Sequence, residues 1–260
     1  GNGYMPKQYG MVIDLQKCAG CGCCTITCKT ENNTQARANG QTFNWSDVIF
    51  REEGTFPKVS FTPIPVLCNH CSDAPCVKVC PVNPKAMYKT ADGITMHNDE
   101  RCIGCRRCQK ACPYSAMDVD KEKAAYSVIS ANDPKEAPHA AYRDATEMIK
   151  GCTASGAEVA KMAGAIPPGH NKYDHPDYAD IRKKGIVEKC IFCEHRVKQG
   201  EQPNCVVVCP AKARIFGDLN GAASEPAELL KKYKPMRLQE EKKTRPNVAY
   251  IRSFRPASAS

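Results

Sequence analysis

The sequence predicts an α+β fold of two small modules of like construction, one inserted in the other, with a long insertion and an extended C-terminal tail. Three observations carry this reading. First, sixteen of the 18 cysteines fall into four runs of four: Cys18, Cys21, Cys24, Cys28; Cys68, Cys71, Cys76, Cys80; Cys102, Cys105, Cys108, Cys112; and Cys190, Cys193, Cys205, Cys209. Second, the surroundings of the runs repeat. Proline follows the last cysteine of runs two, three and four, and Cys-Pro, two residues, then Ala recurs after Cys112 and Cys209. Third, apolar residues make up 42% of the chain but aromatics only 7%, with one tryptophan. That is a thin core for 260 residues, so bonds to bound metal must hold much of it together, and the apoprotein is expected not to fold.

The elements follow in chain order. Residues 8–15 read as a strand feeding the first cysteine. Residues 31–66 have few repeat features and several turn residues, and read as a connecting segment. Residues 86–90 and 94–97 flank Ala91-Asp92-Gly93, a hairpin signal. Residues 94–99 lead into Cys102 as 8–15 lead into Cys18. Short apolar segments follow runs three (115–119) and four (213–216). Residues 120–185 are polar and dotted with Pro and Gly, with a helix expected over 143–162; a loop of this length is expected to be functional or partner-facing. Residues 221–260 are charged and end in a short strand, a strap over a surface or a partner. The modules are then 1–30 with 186–220, and 67–119. Only 22 positions separate Cys80 from Cys102, so runs two and three build one module, whereas 162 separate Cys28 from Cys190 in the other.

The spacing of run three, C-x2-C-x2-C-x3-C-P, is that of a bacterial ferredoxin with two [4Fe–4S] clusters. Three thiolates two residues apart curl round one cluster. The fourth is expected to face away, from the start of a helix, and to serve a neighbouring cluster. Proline after it fixes φ and supplies no N–H; run one has Lys29 there instead. A disulfide framework belongs to small secreted domains. Structural zinc takes cysteines in separated pairs, a pattern that run four alone would fit, since eleven residues separate its halves. Cys23 reads as a bystander thiol within run one, and Cys152 as a free thiol on the expected helix. His70, between Cys68 and Cys71, is expected to hydrogen-bond near a cluster and not to ligate it.

The formal charge of +9 would ordinarily point to nucleic acid or an anionic surface. Clusters reverse that inference. Each oxidised cluster with four thiolates carries about −2, so four bring the whole near neutrality. Arg106, Arg107 and Lys110 are candidate counter-charges. No stretch reaches 18 uncharged apolar residues. No nucleophile–base set, Walker loop or dinucleotide fingerprint is present, so neither a small-molecule substrate nor nucleic acid is expected on this chain.

With Val-Ile-Asp-Leu before run one, Cys-Lys-Thr-Glu-Asn at its end, Cys-Asn-His-Cys in run two, Cys-Ile-Gly-Cys in run three and Pro-Asn-Val-Ala-Tyr-Ile in the tail, the chain resembles the electron-transfer (beta) subunit of complex iron–sulfur molybdoenzymes, of the dimethyl sulfoxide, polysulfide, thiosulfate, tetrathionate or arsenate reductase type. The resemblance covers most of the chain outside the insertion. It implies four [4Fe–4S] clusters. Cluster one would take Cys18, Cys21, Cys24 and Cys209; cluster two Cys28, Cys190, Cys193 and Cys205; cluster three Cys68, Cys71, Cys76 and Cys112; cluster four Cys80, Cys102, Cys105 and Cys108. Relatives such as nitrate reductase carry Trp at the position of Cys105 and a [3Fe–4S] cluster there. The resemblance further implies a relay of single electrons without bond chemistry of its own. Its partners would be a molybdopterin-containing catalytic subunit near cluster one and a membrane anchor, or another redox partner, near cluster four. A peripheral membrane-associated site is expected, on the periplasmic side since the chain starts at Gly1 without Met. The rival is an independent polyferredoxin that diffuses between enzymes.

Overall fold

The computed structural model describes residues 5–136, 138, 162 and 182–253. The helix expected over 143–162, apart from its last residue, and the thiol of Cys152 lie outside the described residues. The central sheet has three strands. β1 (Tyr9–Asp14) pairs antiparallel with β10 (Arg214–Asp218) on one side and parallel with β11 (Val248–Ile251) on the other. Alternation sorts its side chains. Met11 and Ile13 face the main core, while Val12, Ile215 and Ile251 face helix α6 (Glu225–Lys232) through Leu229, Leu230 and Tyr233. Burying each such aliphatic side chain contributes about 1.5–3 kcal/mol. Ser224 caps α6 by accepting from the Ala227 N–H, and Pro226 stands in the first turn, where no N–H is needed.

The strand leading into run one thus pairs with the strand leaving run four. The same arrangement recurs between runs two and three: β4 (Met87–Lys89) leaves run two and pairs antiparallel with β5 (Thr95–His97), which leads into run three. The hairpin signal at 91–93 is realised here, with Gly93 at φ 85. The strand before run four, β9 (Val187–Lys189), pairs with β8 (Ile129–Ala131). Residues 125–131, at the head of the expected insertion, are therefore packed into the core, with Val128, Ile129 and Ala131 all buried. After run three only β6 (Asp118–Val119) is extended, paired with β7 (Ala125–Tyr126).

Two elements were not legible as such. The connecting segment holds a long hairpin, β2 (Ser46–Thr55) with β3 (Lys58–Leu67), in register from Ser46 opposite Leu67 to Thr55 opposite Lys58. The tail is more than a strap: it includes α6, and its end strand β11 is wholly buried in the central sheet. On the way it crosses run two, where Ser72 N–H donates to Arg245 O and Asn247 N–H to Asn69 O.

Candidate iron–sulfur sites

Short helices carry the cysteines. α2 (Pro75–Lys78), α3 (Arg107–Ala111) and α5 (Asn204–Val207) end just before Cys80, Cys112 and Cys209. The fourth cysteine of these runs therefore sits past the end of a helix, and not at its start as the spacing argument expected. The third cysteine occupies the helix, and the proline after the fourth prevents the helix from continuing. Run one lacks that proline. Accordingly α1 (Cys23–Asn32) runs past Cys28, and the Lys29 ammonium donates to the Gln35 and Phe43 carbonyls at 3.1 and 3.3 Å.

All 17 described cysteines are free thiols. They gather in four sets that mix runs. Cys28 lies beside Cys190, Cys193 and Cys205, and the four line one cavity. Cys108 lies beside Cys102, Cys105 and Cys80, which line another. Cys71 and Cys76 both face Cys68 and Cys112. Cys18 faces Cys24 and Cys209. Cys21 forms a close pair with Cys23, whose other neighbours are Cys24 and Cys209. Burial pushes Cys71, Cys108 and Cys190 up to about 12, with neighbouring thiolates adding to it, and pushes Cys28 well up. Without metal these thiols stay protonated; bound iron would take the place of the proton and remove the penalty. Three sets of four thiols and a fourth of five, in which Cys23 is the extra one, free of disulfides, fit [4Fe–4S] clusters.

The sets form a line. Cys24 neighbours Cys205, Cys190 neighbours Cys68, and α2 packs on α3. The inner thiols are buried except for the half-buried Cys112, while Cys21 at one end and Cys105 at the other are exposed. N–H groups turn inward: those of His70 and Phe192 donate to Cys68 Sγ and Cys190 Sγ at 3.4 and 3.5 Å, and that of Ala213 to Cys209 Sγ at 3.3 Å. Gly104, at φ 69, lets run three approach the strand before run four; a Cβ there would collide with the Gly185 carbonyl oxygen. Thr244 of the tail stands 3.3 Å from Cys71 Sγ and 2.9 Å from the Tyr114 hydroxyl.

Arg106 lines the cavity of the Cys80, Cys102, Cys105 and Cys108 set and is exposed, as are Arg107 and Lys110; buried cations stand between the thiol sets as well. Arg214 faces Cys205 and Cys24; burial opposes its charge, but those thiolates outweigh burial and raise its pKa. Lys189 is fully buried, and its ammonium donates to Thr95 O at 2.5 Å and to Cys190 O. Lys89 donates to the carbonyls of His70 and Cys71, both at 3.0 Å. The readable signal was a lysine directly before Cys190 inside a buried strand. A fourth feature escaped sequence reading as well. Glu31 on α1 accepts from His195 and Arg196 of α4 (Glu194–Val197) and from Asn204 of α5, at 2.5–3.1 Å. It ties Cys28 to its three partners.

Comparison with known proteins agrees with this geometry. The family described as "4Fe-4S dicluster domain" matches residues 59–132 and 132–219. The iron–sulfur subunit of the arsenate respiratory reductase of Shewanella sp. (strain ANA-3) is 46% identical over 95% of this chain and 97% of its own length. The chain belongs to the family of reductase iron–sulfur subunits. A putative dimethyl sulfoxide reductase iron–sulfur subunit, from Halobacterium salinarum, is 36% identical over 94% of the chain and 79% of its own length. A selenate reductase subunit, from Mesobacillus selenatarsenatis, is also 36% identical, over 94% and 72%. Like the family, this chain carries four [4Fe–4S] clusters and relays electrons through them. The clusters each supply a one-electron couple when bound. The chain's own contribution is to space the clusters, to aim N–H groups at their thiolates and to exclude water. Among the described residues, no helix is long and apolar enough to cross a membrane.

Proposed function

We propose that this subunit takes its clusters through the four mixed sets of cysteines named above and passes electrons between a molybdopterin-containing catalytic subunit and a membrane anchor or other redox partner. One observation carries the reading: the line of thiol sets is buried in the middle and reaches the surface at Cys21 and Cys105. A wire needs two accessible ends and a dry interior, because electron transfer at an end requires close approach and stray oxidants must be kept from the middle. Exposed apolar residues stand at both ends, Ile26 on α1 and Ile103 beside Cys105, which supports docking of a partner at each. The module containing runs two and three lies within the span of the module containing runs one and four, and 221–253 close over both.

The long match to an arsenate reductase subunit favours an oxyanion-reducing complex, for which we propose peripheral attachment at the membrane. Arsenate is the first acceptor to assay. The test is purification of the native complex. Expected are a large molybdopterin-containing subunit eluting with this chain and about 16 iron per chain. A lone 28.5 kDa species that reduces several enzymes would support the freely diffusing polyferredoxin instead.

A further inference from the structure

The first Cys-x-x-Cys loops of the four runs differ at one telling position. The third residue of each turns through positive φ, and in runs one and three it is glycine, Gly20 at φ 70 and Gly104 at φ 69. In runs two and four it is His70 at φ 43 and Phe192 at φ 53. A bulky L residue is strained there, and strain that persists where glycine would relieve it marks a use. Both side chains are wholly buried, and their rings stack 3.6 Å apart at 16°. The two rings thus come from equivalent positions in two different modules. They meet where Cys68 and Cys190 are neighbours, between the inner thiol sets.

The pair is chemically unsymmetrical. The Thr95 N–H donates to His70 Nδ1 at 3.0 Å. Nδ1 is therefore the acceptor, and the proton of the neutral ring is on Nε2. Thr95 is itself held in place, since its carbonyl accepts from Lys189 and its hydroxyl from Lys89. Nε2–H is buried and has no acceptor among the protein atoms described. A buried donor needs a partner, and His70 and Phe192 sit in the loops of Cys68 and Cys190, so clusters held there would supply sulfur acceptors.

We propose that His70 is a positioning residue of the relay: its Nε2–H donates to a sulfur of an inner cluster and raises that cluster's reduction potential, while its stack on Phe192 fixes the two inner loops against each other. The proposal rests on the cysteine assignment above. A donor N–H stabilises the more negative, reduced cluster, so its loss lowers the potential.

His70→Phe keeps the stack and removes the donor. In the purified holoprotein, redox titration followed by EPR should show one inner cluster shifted downward and both outer clusters unmoved. A tenfold change in the reduced-to-oxidised ratio at fixed potential, about 59 mV for a one-electron couple, is the expected scale. Full iron with four unmoved potentials overturns this proposal and leaves the cysteine assignment standing. Iron well below about 16 per chain in the wild type overturns the assignment itself. Should the variant fail to assemble, wild-type protein labelled with 15N-histidine decides: pulsed EPR of the reduced inner clusters should show a weak nitrogen coupling from a ring N–H. Absence of any histidine coupling overturns the proposal.

Discussion

Glu31→Ala tests how runs one and four, far apart in the chain, are held together. The carboxylate is buried and accepts from His195, Arg196 and Asn204, and it joins the helix bearing Cys28 to the helices bearing the run-four cysteines. Burial disfavours its charge, but the His195 and Arg196 hydrogen bonds outweigh burial and hold its pKa at about 2 against an ordinary 4.5. That difference amounts to about 3 kcal/mol of favourable interaction, in line with about 3–5 kcal/mol for breaking a buried pair and leaving its partner charge behind. The folded value is depressed, so this stability is present above pH 4.5 and is lost as pH falls toward 2. At neutral pH the variant should lose about 3 kcal/mol, and the midpoint of thermal bleaching of the cluster absorbance should fall by about 6–12 °C. The cluster assigned to Cys28 should go first, leaving about 12 of about 16 iron. Glu31→Gln, which keeps an acceptor, should fall between. The reasoning is refuted if Glu31→Ala retains all iron and bleaches at the wild-type temperature.

Other perturbations follow from the same geometry. Lys189→Met removes a buried cation beside Cys190 and Cys76; the inner clusters should become harder to reduce, and unchanged midpoints in an EPR titration would contradict that. Cys105→Ser should remove or convert only the cluster at the exposed far end, visible as the loss of one EPR signal with the rest intact. Cys23→Ser should leave about 16 iron, because Cys23 stands beside the first set as an extra thiol; a missing cluster would show that it ligates. Gly104→Ala puts a Cβ onto the Gly185 carbonyl, and iron analysis should find the far-end cluster under-loaded while Gly22→Ala, with open space around it, loads more fully.

The cysteine runs, the strands that enter and leave them, the hairpin at 91–93 and the relay chemistry could be read from the sequence. All are local: a thiolate spacing, a two-residue alternation and a turn are set by neighbours a few positions apart. The helix ends were legible in part, because proline stops them, although the fourth cysteine proved to follow its helix. What only the folded chain decided is long-range. The Glu31 bridge between runs one and four, the place of β11 beside β1, and the hairpin 46–67 depend on which surfaces pack, and periodicity within one segment carries no record of its partner. The charges show the same division. The sequence counts +9 without telling that Arg106 and Lys110 stay exposed while Lys189 and Arg214 sit buried between thiol sets, since a cation is held in the interior by the anions and carbonyls that the tertiary structure brings to it.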